Sequence, residues 1–268
     1  MRQITAFSNP LVKQVRGLRD KKHRRREGLF IAEGLRILTE ARGAGFLPVT
    51  LFFSQADPHP LLRELIAVTE AAGGEAIETT ADILHKISGK ENPQTVLGVY
   101  RAFDTALDRV DRDRAPLWIV AQALRDPGNL GTILRTGDAV GAGGLILVDD
   151  CVDPFSVEAV RASMGALFTQ QIAAAPWNRF LRWLRSGEGE LVGTSLNARQ
   201  DYQAARYRKP CFILVGNEAQ GLPADYEAAC DTLVKIPMFG KADSLNAAVA
   251  TAVMAYEVIN QWRAAPSD

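Results

Sequence analysis

Three stretches of this chain carry side chains able to hold and align a polar ligand. Arg125 to Gly137 reads RDPGNLGTILRTG, with the amide of Asn129 about two helical turns ahead of the guanidinium of Arg135. Gly216 to Pro223 reads GNEAQGLP, which sets the Glu218 carboxylate between two glycines, Gly216 and Gly221. Leu233 to Trp262 reads LVKIPMFGKADSLNAAVATAVMAYEVINQW and places Ser244 and Asn246 where a loop runs into a helix. A glycine-bearing loop entering a helix N-terminus can grip a ligand through backbone amides. Metal and nucleophile chemistry have little support. His23, His59 and His85 are scattered without ligand spacing, and Cys151, Cys211 and Cys230 are few and far apart. The same cysteine usage excludes a disulfide framework.

Each stretch also has a plain structural reading. Asn129 follows a Pro127–Gly128 turn where a cap belongs, and Arg135 has Asp138 three residues on for an ion pair worth a few tenths of a kcal/mol. GNEAQGLP reads equally as a tight turn with an exposed Glu218. In the last stretch Pro237 ends the strand because it has no N–H to donate, and Ser244 is expected to cap the helix. Behind it Val249, Ala252, Val253, Tyr256 and Ile259 recur at helical spacing, which predicts one buried face. Taken singly, the three stretches fit a ligand site and an ordinary loop alike.

The elements that must position these residues alternate between strand and helix. The 268 residues, 47% hydrophobic and 23% charged, suit a globular α/β chain of one large domain or two modest ones. In the first half SNPLVKQVRGLRD, LRILTEARGAG, LLRELIAVTEAAGG and ADILHKIS read as helices. LFIAEG, PVTLFFS, EAIETT and TVLGVYRAF read as strands of a largely parallel sheet. Asp104 to Pro116 is dense in charge and reads as a linker, giving domains 1–103 and 117–268 around a linker 104–116. In the second half LWIVAQAL, LILVDD, QQIAAA, LVGTSL and CFILVG are strands. DPGNLGTILRTGDAVGAGG, VDPFSVEAVRASMGALF and PWNRFLRWLRSG are loop–helix or helix segments. No G-x-G-x-x-G joins a strand to a helix, so a dinucleotide site is unsupported. No apolar run reaches the about 20 residues of a membrane span. A cytoplasmic location is expected.

Lys+Arg and Asp+Glu balance at 31 each, yet the cations are unevenly spread. The first thirty residues hold Lys13, Lys21, Lys22, Arg24, Arg25 and Arg26, as well as Arg2, Arg16 and Arg19, against Asp20 and Glu27. Such a cluster is either a polyanion grip or a solvated helix end.

Together the three stretches resemble, in order, the three signatures of the SpoU-type RNA ribose methyltransferases of the knotted SPOUT superfamily. IPMFGKADSLNAAVA matches the third, Asn129, Gly131 and Arg135 the first, and GNEAQGLP the second. Gly137 and Ala219 depart from the usual alanine and glycine. NPLVK, the basic run and FIAEG resemble the family's N-terminal substrate-binding domain, a small ribosomal-protein-like α/β fold, so the likeness spans nearly the whole chain.

The resemblance implies a C-terminal α/β domain with a mostly parallel sheet, tied in a trefoil knot and paired as a homodimer in which both subunits help build each site. It implies S-adenosylmethionine as cofactor and no metal. Thr194, Ser195, Leu196, Gly216, Asn217, Gly221, Ile236, Met238 and Leu245 would surround the cofactor. Arg135, Asn129, Glu218, Ser244 and Asn246 would carry the chemistry, and Lys13, Lys21, Lys22, Arg24, Arg25 and Arg26 would contact RNA. Methylation of a ribose 2′-hydroxyl in ribosomal RNA is the implied activity. A transfer-RNA substrate, methylation of a base nitrogen, or a non-catalytic RNA-binding protein on the same fold are the alternatives.

Overall fold

The computed structural model describes residues 2–54, 59–90, 94–217 and 220–264. The chain forms two compact units, Met1–Phe103 with Asp153–Thr169, and Asp104–Val152 with Gln170–Asp268. The first half runs β1 (Arg2–Ile4), α1 (Pro10–Gly17), α2 (Lys21–Glu27), β2 (Leu29–Glu33), α3 (Leu35–Gly43) and β3 (Thr50–Ser54). It continues through α4 (Pro60–Ala71), β4 (Glu75–Thr79), α5 (Ala81–Ser88) and β5 (Val96–Arg101). The second half runs β6 (Leu117–Gln122), α6 (Pro127–Ala139), β7 (Gly144–Val148), α7 (Val157–Ser163), β8 (Gln171–Ala175) and α8 (Trp177–Arg185). After these come β9 (Glu190–Thr194), β10 (Gln200–Asp201), β11 (Cys211–Val215), α9 (Ala224–Ala229), β12 (Thr232–Lys235) and α10 (Ala247–Ala264).

In the first unit the strands order as β1-β4-β3-β5-β2. The expected largely parallel sheet is corrected to a mixed one. β1, β4 and β3 are parallel, whereas β5 runs antiparallel to both β3 and β2. Alternating strand and helix patterns fix element type but not strand direction, and β5 inserts between two strands laid down earlier. Phe52, Ile77 and Leu97 from the sheet pack with Val12, Val15 and Leu18 near α1 and with Ile83, Leu84 and Ile87 of α5. Each such side chain contributes about 1.5–3 kcal/mol on burial.

Residues 153–169 belong to this unit. Phe155 and Phe168 join Phe30, Tyr100 and Phe103 in an aromatic cluster with ring centroids 5.1–5.9 Å apart. Arg24, expected to face RNA, belongs to the same arrangement. It is 5% exposed, and its Nε and Nη2 donate to Asp153 Oδ2 at 3.0 and 2.7 Å. Nη1 donates to the Leu18 and Arg19 carbonyls, both at 2.8 Å. A guanidinium with four of its five N–H groups committed inside the protein has little left for a phosphate.

The second unit holds a seven-stranded sheet ordered β10-β12-β9-β11-β6-β7-β8, parallel throughout. Its central strands are apolar along their length, as strands buried on both faces must be, and every residue of β6 is buried. Trp118 and Phe212 stack at 6.3 Å in a core shared with Phe180, Leu184 and Leu191. The charged segment 104–116, expected as a linker, flanks this core. Leu107 is buried within it, and Trp118 Nε1 donates to the Arg112 and Ala115 carbonyls at 3.2 and 3.1 Å. Arg112 lies over the Trp183 ring at 4.2 Å and donates to the Trp183, Leu184 and Glu188 carbonyls.

The last helix differs from expectation in two ways. Its cap is Asn246, whose Oδ1 accepts from Ala248 N at 2.9 Å and Val249 N at 3.3 Å, while Ser244 stays in the loop and donates to Asp243. Its buried face is Ala247, Ala248, Thr251, Met254, Ala255 and Val258. The stripe expected inside is rotated outward, leaving Val249 48% and Tyr256 56% exposed. The small residues allow close approach to α6 and β11, and Thr251 satisfies its hydroxyl by donating to the Ala247 carbonyl.

Candidate active site

β9, β11 and β12 are parallel neighbours, so the loops leaving their C-terminal ends emerge on one edge of the sheet. In an open α/β sheet that edge is where ligands bind. Here a cavity of about 380 Å³ opens between those loops. Thr194, Ser195 and Leu196 line it beyond β9; Gly216, Asn217 and Gly221 line it beyond β11; Ile236, Met238, Ser244 and Leu245 line it beyond β12. All nine residues expected to surround a cofactor therefore share one cavity.

Backbone geometry holds the walls. Ser195 N donates to the Val234 carbonyl at 2.9 Å, and Thr194 Oγ1 to the Leu214 carbonyl at 3.3 Å. After β11 the chain doubles back, with Gly221 N donating to the Asn217 carbonyl at 2.9 Å. A Cβ on Gly216 would lie 2.4 Å from the Gly221 carbonyl carbon and 2.6 Å from Leu222 N, so only glycine fits there. Asn217 Nδ2 donates to the Ala123 carbonyl at 2.9 Å, fastening this turn to the loop after β6. Glu218 lies outside the described residues.

Asn129 and Asn246, distant in sequence, meet directly: Asn246 Nδ2 donates to Asn129 Oδ1 at 2.8 Å. The contact is possible because neither cap is the one the sequence predicts. Asp126 caps α6, its Oδ1 accepting from Asn129 N at 2.6 Å, and this leaves the Asn129 amide to reach α10. Asn246 serves twice, with Oδ1 on the α10 amides and Nδ2 on Asn129. Arg135 stands apart. It lies on the exposed face of α6 and does not line the cavity.

Sequence reasoning missed Glu227, which lines the cavity from α9. Ser195 Oγ donates to its Oε1, as does Asn197 Nδ2 at 3.4 Å. The helix is anchored by its neighbour Tyr226, whose ring stacks on Trp177 at 3.9 Å and whose hydroxyl donates to Asp149 Oδ2 at 2.7 Å. Burial, then the Asp149 carboxylate, holds that phenol well above its ordinary pKa. Nothing in PADYEAAC distinguishes Glu227 from an exposed helical acid; only the pairing of β9 with β12 brings the Ser195 loop beside it. Asp243 adds a second carboxylate to the lining.

The cavity thus joins apolar walls (Leu196, Ile236, Met238, Leu245) to convergent backbone groups and two carboxylates. That set suits a ligand with a flat apolar ring, hydroxyls and positive charge. Among the described residues no three His, Cys, Asp or Glu side chains gather to hold a metal ion, and no helix is long and apolar enough to cross a membrane.

Comparison with known proteins agrees with this geometry. Residues 116–256 match the SpoU rRNA Methylase family, and residues 9–98 match the MRM3-like substrate binding domain. An AdoMet-bound rRNA methyltransferase from Sinorhizobium meliloti superposes with a TM-score of 0.90 at 38% identity, covering 97% of each chain. The SpoU methyltransferase AviRb from Streptomyces viridochromogenes, in complex with AdoMet, gives 0.87 at 29% identity, over 96% of this chain and 100% of that one. A 23S rRNA (uridine(2479)-2'-O)-methyltransferase of Streptomyces viridochromogenes is 31% identical over 91% of this chain and 87% of its own length. With one cavity built from the loops after β9, β11 and β12 and a family match across more than half its length, the chain belongs to the SpoU rRNA methylase family.

Proposed function

We propose that this protein transfers a methyl group from S-adenosylmethionine to a ribose 2′-hydroxyl of ribosomal RNA. The observation that carries the reading is the convergence of the loops after β9, β11 and β12 on one cavity, beside the joined amides of Asn129 and Asn246. The cofactor fits the residues present. A cavity of about 380 Å³ is of small-molecule size, its apolar walls suit adenine and the thioether chain, and Glu227 and Asp243 suit a cation bearing hydroxyls. At Gly216 the bare backbone leaves room that a side chain would take.

Bound there, the cofactor supplies a methyl group already activated on a sulfonium. The protein's share is alignment of the ribose and stabilisation of charge on its oxygen. Arg135 is assigned as an electrostatic clamp. A guanidinium stays protonated, with a pKa above about 12, so it does not act as a base. It binds the phosphate beside the acceptor, favours ionisation of the 2′-hydroxyl and steadies the resulting alkoxide. Asn129, Asn246 and Ser244 position the ribose, and Glu218 orients groups around it.

We propose a homodimer in which Arg135, exposed on α6 and not among the residues lining this cavity, serves the cavity of a second copy. Val249, Tyr256 and the 96%-exposed Phe239 supply apolar surface for such pairing. The trefoil knot and a ribosomal-protein-like α/β fold for the first unit are proposed from the family resemblance, and action in the cytoplasm is proposed from the sequence. Ribosomal RNA is preferred over transfer RNA because two of the relatives compared above are named for 23S rRNA or rRNA.

The test is to incubate the protein with labelled S-adenosylmethionine and total RNA, then map positions resistant to alkali, which cleaves through a free 2′-hydroxyl. Arg135→Ala is expected to abolish transfer while calorimetry shows cofactor affinity unchanged. Full turnover by that variant would remove Arg135 from the mechanism.

A further inference from the structure

Glu227 stands in the cavity wall with one carboxylate oxygen engaged and the other open. Oε1 accepts from Ser195 Oγ and, at 3.4 Å, from Asn197 Nδ2. Ser195 Oγ in turn accepts from Asn197 N at 3.0 Å, so the turn after β9 is folded around this one oxygen. Among the described residues none donates to Oε2, and no cation pairs with the carboxylate. The side chain is half-buried. A charge drawn partly out of water without a partner is costly unless a ligand supplies the missing bonds.

The direction from which Glu227 reaches the cavity is also defined. Side chains alternate along a strand, and Trp118, Val120, Phe212 and Leu214 share one core with Trp177 and Phe180 of α8 and Tyr226 of α9. Ile119 points to the opposite face, where a Cβ on Gly137 of α6 would lie 3.4 Å from its Cδ1. α10 packs on α6, so the joined amides of Asn129 and Asn246 belong to that opposite face. Glu227 and the Asn129–Asn246 pair therefore approach the cavity from the two sides of the sheet. With the reacting end of the cofactor at the paired amides, Glu227 meets a different polar part of it.

Two such parts exist, the ribose hydroxyls and the ammonium of the amino-acid tail. A hydroxyl both donates and accepts, whereas an ammonium only donates. The wall around Oε2 offers both functions, because the Asn197 amide beside it also lines the cavity and carries a second N–H. An ammonium would meet that donor head-on; a hydroxyl can accept from it. We propose that Glu227 is a specificity residue for the cofactor, its Oε2 accepting from the ribose hydroxyls of S-adenosylmethionine. Ser195 and Asn197 hold the carboxylate in place for that contact. The proposal rests on the methyl-donor reading above.

Calorimetry with three ligands tests it: S-adenosylmethionine, methylthioadenosine, which keeps the ribose but lacks the amino-acid tail, and a methylthioadenosine without the two ribose hydroxyls. Glu227→Gln leaves an oxygen for Ser195 and Asn197 while removing the charge. Loss of a charge-assisted bond should weaken S-adenosylmethionine and methylthioadenosine alike, by about tenfold to a hundredfold. The hydroxyl-free compound should bind wild type and variant equally, which also shows that the variant's cavity is intact. Weakened S-adenosylmethionine with unchanged methylthioadenosine would place Glu227 on the ammonium and overturn the assignment. Equal losses for all three ligands would reduce Glu227 to a prop for the β9 loop, and no loss for any would remove it from recognition; either result overturns the proposal. A wild type that binds none of the three refutes the methyl-donor reading itself, and the role of Glu227 falls with it.

Discussion

Replacing Arg24 with methionine tests whether that residue belongs to the protein's interior or to its RNA surface. Methionine keeps much of the length and apolar stem while deleting the four N–H donors that reach Asp153, Leu18 and Arg19. The Asp153 side chain is only 13% exposed and would retain one bond, the Phe155 amide on Oδ1 at 3.0 Å. Removing one partner of a buried ion pair costs about 3–5 kcal/mol, against about 0–1 kcal/mol for an exposed pair. With both side chains this deeply enclosed, the first range applies. All four tryptophans, Trp118, Trp177, Trp183 and Trp262, lie in the second unit, so their fluorescence does not report on this change. Amide hydrogen exchange of peptides covering 21–27 and 153–169 does, and it should accelerate by about two to three and a half orders of magnitude. Arg24→Met/Asp153→Leu should recover at least about 1 kcal/mol, since an apolar replacement of the whole pair leaves no stranded charge. A loss below about 1 kcal/mol in the single variant would show the pair to be solvated and return Arg24 to the RNA-facing set.

Two further outcomes follow from single positions. Gly216→Ala forces a Cβ into the Gly221–Leu222 backbone and should weaken S-adenosylmethionine binding at least tenfold by calorimetry, leaving the salt dependence of RNA binding intact; unchanged cofactor affinity would place the ligand elsewhere. Glu33 is 6% exposed with Oε1 unpartnered, and burial raises its carboxyl above the ordinary value despite the nearby Arg161 and Lys90. The folded state therefore holds that proton longer than the unfolded one, so stability present at low pH is lost as pH rises through the raised value. Glu33→Gln should gain about 1–3 kcal/mol at neutral pH and flatten the pH dependence there, measured by exchange of β2 amides; a less stable variant at pH 7 would refute it.

Much of the cavity was legible because its makers are loops with special backbone needs. Gly216, Gly221 and Pro237 announce turns after unbroken apolar strands, but that the residues there would surround a cofactor came from the resemblance to the SpoU signatures and not from turn chemistry alone. What stayed hidden depends on partners far along the chain. Ser244 and Asn246 are both good caps by type. Only the position of Asn129 selects Asn246, whose amide bonds across to it. Hydrophobicity ranked Val249 and Tyr256 as the inner face of α10, but the inner face goes to small residues that let α6 and β11 come close. A run such as KKHRRR likewise gives no sign that its fourth residue turns inward, because Asp153 is supplied from the other half of the sequence. Glu227 was invisible for the same reason, since its meaning comes from the strand order that delivers Ser195 and Asn197.

The segment 153–169 departs from the catalytic half and returns to it, so the polypeptide passes between the two units three times. A cut near residue 103 would leave Phe155, Val157 and Phe168 on one fragment and Phe30, Tyr100 and Phe103 on the other, each with its apolar surface bared to water. Neither fragment would be a self-sufficient folding unit. Recombination between relatives would then have to exchange two separated pieces of gene together, which ties the evolution of substrate recognition to that of the methyl-transfer machinery.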